Sequence, residues 1–132
     1  NENSCIYLID TPEAIRKKVM RAVSDVGPTA PNQPKTQPVE NLFSLMKIVS
    51  TTETLNFFEE QYNLCAIRYG DMKKQLAEDM VQFCAPLREK ILEIDSNDDF
   101  IRKVARIGAE KARESAQKTV KEVREIIGFR SL

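Results

Sequence analysis

Apolar residues recur every three to four positions through most of this 132-residue chain, so helices are expected nearly throughout. Ile6 to Ile9 is a short apolar run, read as a strand or an extended lead-in. Thr11-Pro12-Glu13 starts a helix: Thr11 serves as N-cap, and Pro12 lacks only a donor that the first turn leaves unused. Ile15, Val19, Ala22 and Val23 form its apolar face, and it should end near Ser24 or Asp25. Residues 27–38 hold Pro28, Pro31, Pro34 and Pro38 among polar residues, the pattern of an exposed, mobile connector. A second helix over 39–49 carries Val39, Leu42, Phe43, Leu45, Met46 and Val49, enough to lie deep in the core. The Ser50 to Thr54 cluster breaks it and offers caps for a third helix, in which Leu55, Phe58 and Tyr62 share a face.

Residues 63–70 read as a loop, with Asp71 as the cap of a long fourth helix. Its apolar series runs Met72, Leu76, Met80, Phe83, Leu87, Ile91 and Ile94, and continues past Pro86, so a kink is expected there rather than a break. Ser96-Asn97-Asp98-Asp99 is a capping-box pattern that opens a segment with Phe100, Ile101, Val104 and Ile107. Gly108 bends or divides this segment from the final helix, GAEKARESAQKTVKEVREIIGF. There Ala109, Ala112, Ala116, Val120, Val123 and Ile127 make a narrow seam of mostly small or β-branched residues, suited to close docking of another helix. Gly128 supplies a left-handed stop, with Phe129 folding back onto the last turn. The expected fold is all-α, a bundle of five to six helices behind a short extended N-terminal lead-in.

The length suits one domain, and no apolar run reaches 18 residues, so no transmembrane helix is expected. The chain opens without a methionine or a signal peptide, which leads us to expect a piece of something longer. Cys5, Cys65 and Cys84 are odd in number and widely spaced, there is no CxxC, and histidine is absent. A disulfide framework and zinc ligation are therefore disfavoured, and a reduced cytosolic compartment fits best. Lacking histidine, the chain also has no Ser/His or Cys/His nucleophile pair. Phosphate loops, dinucleotide fingerprints, HExxH and GxSxG are missing as well. Asp98 and Asp99 are read as serving a helix N-terminus rather than as an acid–base pair.

Charge changes this picture. The net charge of zero conceals +1 over residues 1–39, −6 over 40–99 and +5 over 100–132. In the final helix Arg113, Gln117, Lys121 and Arg124 flank the seam on one side with Glu110 the only acid, while Glu114–Lys118 and Lys118–Glu122 cancel on the other. If the helix runs through Gly108, Lys103 and Arg106 extend the same ridge. Positive charge confined to one edge is what phosphate or base contact requires. The alternative is arginine stems lying along the seam with their heads in water. Lys17, Lys18 and Arg21 are weaker candidates on the first helix.

Four segments carry a family resemblance: IYLIDTPEAIRKKVMRAVSD at 6–25, PVENLFSLMKI at 38–48, QYNLCAIRYGDMKKQLAEDMVQFCAPLREK at 61–90 and GAEKARESAQKTVKEVREIIGF at 108–129. In order and over nearly the whole chain, they resemble bacterial-type tryptophanyl-tRNA synthetases, class I aminoacyl-tRNA synthetases. The first segment is shared with tyrosyl-tRNA synthetases. The Tyr-Gly-Asp-x-Lys-x-x-Leu-Ala segment and the GAEKAR helix favour the tryptophanyl member. The resemblance implies a parent ligase that activates tryptophan with ATP and Mg²⁺ in a Rossmann-like domain, then loads it onto tRNA. That domain's HIGH-like and KMSKS-like signatures would lie upstream of Asn1, so no catalytic residue and no cofactor carries over to this chain. Residues 1–10 would be an extended remnant following the catalytic domain, and 11–132 the C-terminal helical domain that recognises the anticodon, with 27–38 its proline-rich loop. The implied partners are tRNA(Trp) and the catalytic domain of the same chain, within a cytoplasmic homodimer and without a membrane. Arg106, Arg113, Gln117, Lys121, Arg124 and Lys103 are the expected RNA contacts, and no metal site is expected. Two rival readings remain: a stand-alone helical module binding an acidic protein, and the equivalent domain of a tyrosyl-tRNA synthetase.

Overall fold

The computed structural model describes residues 5–129, which form five helices and no strand among the described residues. They are α1 (Pro12–Met20), α2 (Gln37–Val49), α3 (Thr52–Asn63), α4 (Tyr69–Asp95) and α5 (Asp98–Ile126). The chain divides into two compact units, Asn1–Lys90 and Ile91–Leu132. The all-α expectation therefore holds, and the lead-in is a turn: the Asp10 amide donates to the Tyr7 carbonyl, and the Tyr7 amide to Asp10 Oδ2.

The first unit owns the core. Ile15 and Val19 of α1, Val39, Leu42, Phe43 and Met46 of α2, Phe58 and Tyr62 of α3, and Met72, Leu76, Ala77, Met80 and Cys84 of α4 are buried together. Phe43 and Tyr62 meet edge to face at 6.1 Å, and Lys35 Nζ lies 4.6 Å and 5.0 Å from their ring centroids while pairing with Glu59 at 2.7 Å. Burial pushes the phenol of Tyr62 and the thiol of Cys84 above their ordinary pKa values.

Local chemistry moves several boundaries. Helix α1 stops at Met20, short of the expected Ser24, because the chain beyond it is captured by α4: Lys73 Nζ donates to the Ala22 carbonyl at 2.7 Å and to Ser24 Oγ at 2.9 Å. Helix α2 starts two residues early, since Pro38 is accommodated in its first turn. Its Thr36 cap makes no side-chain capping bond; the hydroxyl donates to Asp25 Oδ2. Thr51 caps α3 through the Thr54 amide. Helix α4 begins at Tyr69, so Asp71 lies in the first turn and serves the helix dipole rather than capping. It runs unbroken through Pro86, on an exposed stretch where water can take the freed carbonyl of Gln82.

The proline-rich connector is not loose. Asp25 accepts from Tyr69 Oη and Thr36 Oγ1, both at 2.6 Å, and from the Gly27 amide at 2.8 Å. Asn32, at φ 56°, donates its amide to the Asn63 carbonyl, and Tyr62 Oη reaches the Pro34 carbonyl at 3.4 Å. Residues 25–36 are thus tied to α3 and α4, which corrects the expectation of a mobile loop.

Candidate nucleic-acid interface

The second unit is dominated by α5. Its 29 residues are rich in Ala, Glu, Lys and Arg, strong helix formers that need little packing to hold the backbone. Asn97, not Ser96, is the N-cap: its side chain accepts from the Phe100 amide at 3.0 Å, while Ser96 Oγ donates to the Glu93 carbonyl. Asp98 and Asp99 occupy the first turn as expected. At the other end Gly128 adopts φ 76°, the Phe129 amide donates to the Arg124 carbonyl at 2.8 Å and the Gly128 amide to Glu125 at 3.3 Å. These two bonds are a Schellman motif, and they hold Phe129 back against the last turn.

Helix α5 passes through Gly108 without interruption, so the condition for one continuous ridge is met. Lys103, Arg106, Arg113, Gln117, Lys121 and Arg124 all lie on α5, and all are exposed. Helical geometry puts Arg106, Arg113, Gln117 and Arg124 within an arc of about 40°, with Lys103 and Lys121 about 40° further round. The ridge spans about 32 Å along the axis. Its C-terminal half borders a cleft of about 420 Å³ lined by Arg113, Ala116, Gln117, Val120, Lys121, Arg124, Glu125 and Phe129. Lys103 and Arg106 do not line it.

Two features depart from the expectation. The seam pattern predicts docking, yet no residue of α5 is buried; Val120 is 47% and Val123 49% exposed. An amphipathic pattern fixes what a helix is able to bury, and a seam led by three alanines offers little apolar area to drive burial. The ridge also carries a second acid besides Glu110. Glu125 sits one turn after Lys121, 3.9 Å away, so the edge is partly compensated at its end. Three cations still face one carboxylate around the cleft.

The weaker candidates on α1 are differently placed. Lys18 Nζ pairs with Asp10 at 2.6 Å and lies 4.8 Å from the Tyr7 ring centroid, so it pins the lead-in. Lys17 and Arg21 are exposed. Lys18 and Arg21 rim a cleft of about 630 Å³ whose walls, including Val19, Leu42, Leu45 and Leu76, are largely apolar. No group of three His, Cys, Asp or Glu among the described residues could hold a metal ion.

No family model matches the chain. Its relatives are nonetheless clear. Tryptophan–tRNA ligase of Porphyromonas gingivalis is 56% identical over 130 residues, covering 98% of this chain and 40% of the relative. This chain is homologous to a region of the tryptophan–tRNA ligases. The enzyme of that name from Helicobacter pylori is 34% identical over 127 residues, 96% of this chain and 37% of its own length. Tryptophan–tRNA ligase 1 of Streptomyces coelicolor is 34% identical over 125 residues, 94% and 36% respectively. The chain thus spans about 40% of the length of the curated relatives it matches. Among the described residues no helix is long and apolar enough to cross a membrane. Ala116, Val120, Glu125 and Phe129 are the cleft residues that sequence reasoning did not assign to the site, the first two being read as seam. Phe129 carried a signal, since a residue after a left-handed glycine folds back onto the helix it follows.

Proposed function

We propose that this chain is the C-terminal, anticodon-recognising helical domain of a tryptophan–tRNA ligase, a cytoplasmic homodimeric enzyme that activates tryptophan with ATP and Mg²⁺ and transfers it to tRNA(Trp). The observation that carries the reading is homology to tryptophan–tRNA ligases over 98% of the chain. The exposed basic ridge of α5 supports it, since RNA is held through phosphates and read at unpaired, splayed bases. In this reading ATP and Mg²⁺ belong to the catalytic domain of the parent enzyme; among the described residues the carboxylates and thiols do not converge into a ligand set. Its role is to recognise the tRNA and leave chemistry to the rest of the enzyme.

Reversing charge with Lys121→Glu and Arg124→Glu in the full-length protein should weaken tRNA(Trp) binding, lower the salt slope of binding by about 2, and leave tryptophan activation by ATP unchanged. Unaltered tRNA affinity, or an equal fall in activation, would falsify the assignment of this edge. A protein that binds acidic polypeptide and no tRNA at low salt is the interaction module instead.

A further inference from the structure

Within that RNA-binding reading, on which this step rests, we propose that the cleft at the C-terminal end of α5 takes a single unpaired nucleobase with its phosphate, stacked on Phe129. Phe129 is 71% exposed. It is held there by the backbone and not by a core: the left-handed Gly128 turns the chain, and the Phe129 amide bonds the Arg124 carbonyl. An aromatic ring fixed in water beside cations is a stacking platform, and Arg124 can add its own planar guanidinium to the stack. The cleft volume of about 420 Å³ suits one base with its sugar-phosphate.

The polar groups divide the remaining work. The Gln117 amide presents a donor and an acceptor together, which matches the edge of a base. Arg113 and Lys121 supply the positive charge for the phosphate, and Val120 adds an apolar floor at 47% exposure. An acidic peptide would satisfy the cations but leave the ring and the amide without a partner. A nucleotide uses all of them.

The test is a titration of the full-length protein with tRNA(Trp) carrying a fluorescent purine analogue in the anticodon loop. Binding should quench the analogue as it stacks. Phe129→Leu keeps an apolar residue at the cap but removes the ring; it should weaken binding about tenfold and abolish the quench without changing the salt slope. Phe129→Trp should retain both affinity and quench. If Phe129→Leu binds and quenches like the unsubstituted protein while the Lys121→Glu, Arg124→Glu pair still weakens binding, the stacking cleft is wrong and the RNA edge stands. If neither variant weakens tRNA binding and polyglutamate binds comparably, both readings fall and the ridge serves an acidic protein.

Discussion

Cys65 shows how much one residue can carry against its own preference. It closes α3 in a second Schellman motif, with φ 55°, the Cys65 amide donating to Tyr62 and the Ala66 amide to Gln61. Gly128 makes the same turn at the end of α5 without strain, whereas a side chain in this conformation costs about 1–2 kcal/mol. Cys65 is exposed, so its thiol repays nothing by packing. Cys65→Gly should therefore raise the unfolding free energy by about 1 kcal/mol, and Cys65→Val should lower it by a similar amount. Urea titration of the two variants checks the pair: the glycine protein melting earlier than the parent would show that the turn is not strained. No sequence pattern announces this position, because a non-glycine left-handed cap is visible only once the next helix is placed.

At the scale of elements, periodicity located all five helices, and the errors lie at their ends. There, side chains from distant segments meet the chain: Lys73 holds the Ala22 carbonyl just beyond α1, and Asp25 accepts from the Thr36 hydroxyl just before α2. Such contacts join residues far apart in sequence and leave no periodic trace. The same Asp25 explains why four prolines do not make a mobile loop. Hydrogen bonds from Thr36 and then Tyr69 hold its carboxyl below the ordinary value of 3.8, and burial, helped by the same contact, raises the Tyr69 phenol. A carboxylate whose folded pKa is depressed stabilises fully above its unfolded pKa, and that contribution is lost as pH falls through the folded value. Asp10 beside Lys18, and Glu78 beside Arg16, shift the same way, so acid should loosen the lead-in, α1 and the loop together below about pH 4. Asp25→Asn should cost about 1–2 kcal/mol at neutral pH and less in acid, as pH falls below the ordinary carboxylate range. Amide exchange of residues 27–36 followed against pH would show it; protection in the parent that is equal at pH 7 and pH 3 would contradict the mechanism.

At the scale of the whole molecule, burial and charge are divided between different parts of the chain. The buried core belongs to α1, α2, α3 and the first part of α4, while α5 contributes no buried residue and residues 100–132 carry net +5. The basic ridge was legible in the sequence because it needs only helical geometry and exposure. The state of the seam was not, because amphipathicity says nothing about whether a partner is present. A helix of 29 residues with strong formers and caps at both ends exceeds the roughly 12–15 residues below which isolated helices are marginal, so α5 can persist on local terms. Its amides should then exchange far faster than those around Leu76 and Met80, since local opening there exposes no core. A chain ended after Ser96 should keep the near-ultraviolet signal of Tyr62 and Tyr69 and melt within a few degrees of the parent, corresponding to less than about 1 kcal/mol. It should at the same time lose tRNA binding. A fall in melting temperature of more than about 8 °C would mean that the seam stabilises the core after all, and retained tRNA affinity would move the RNA contact off α5.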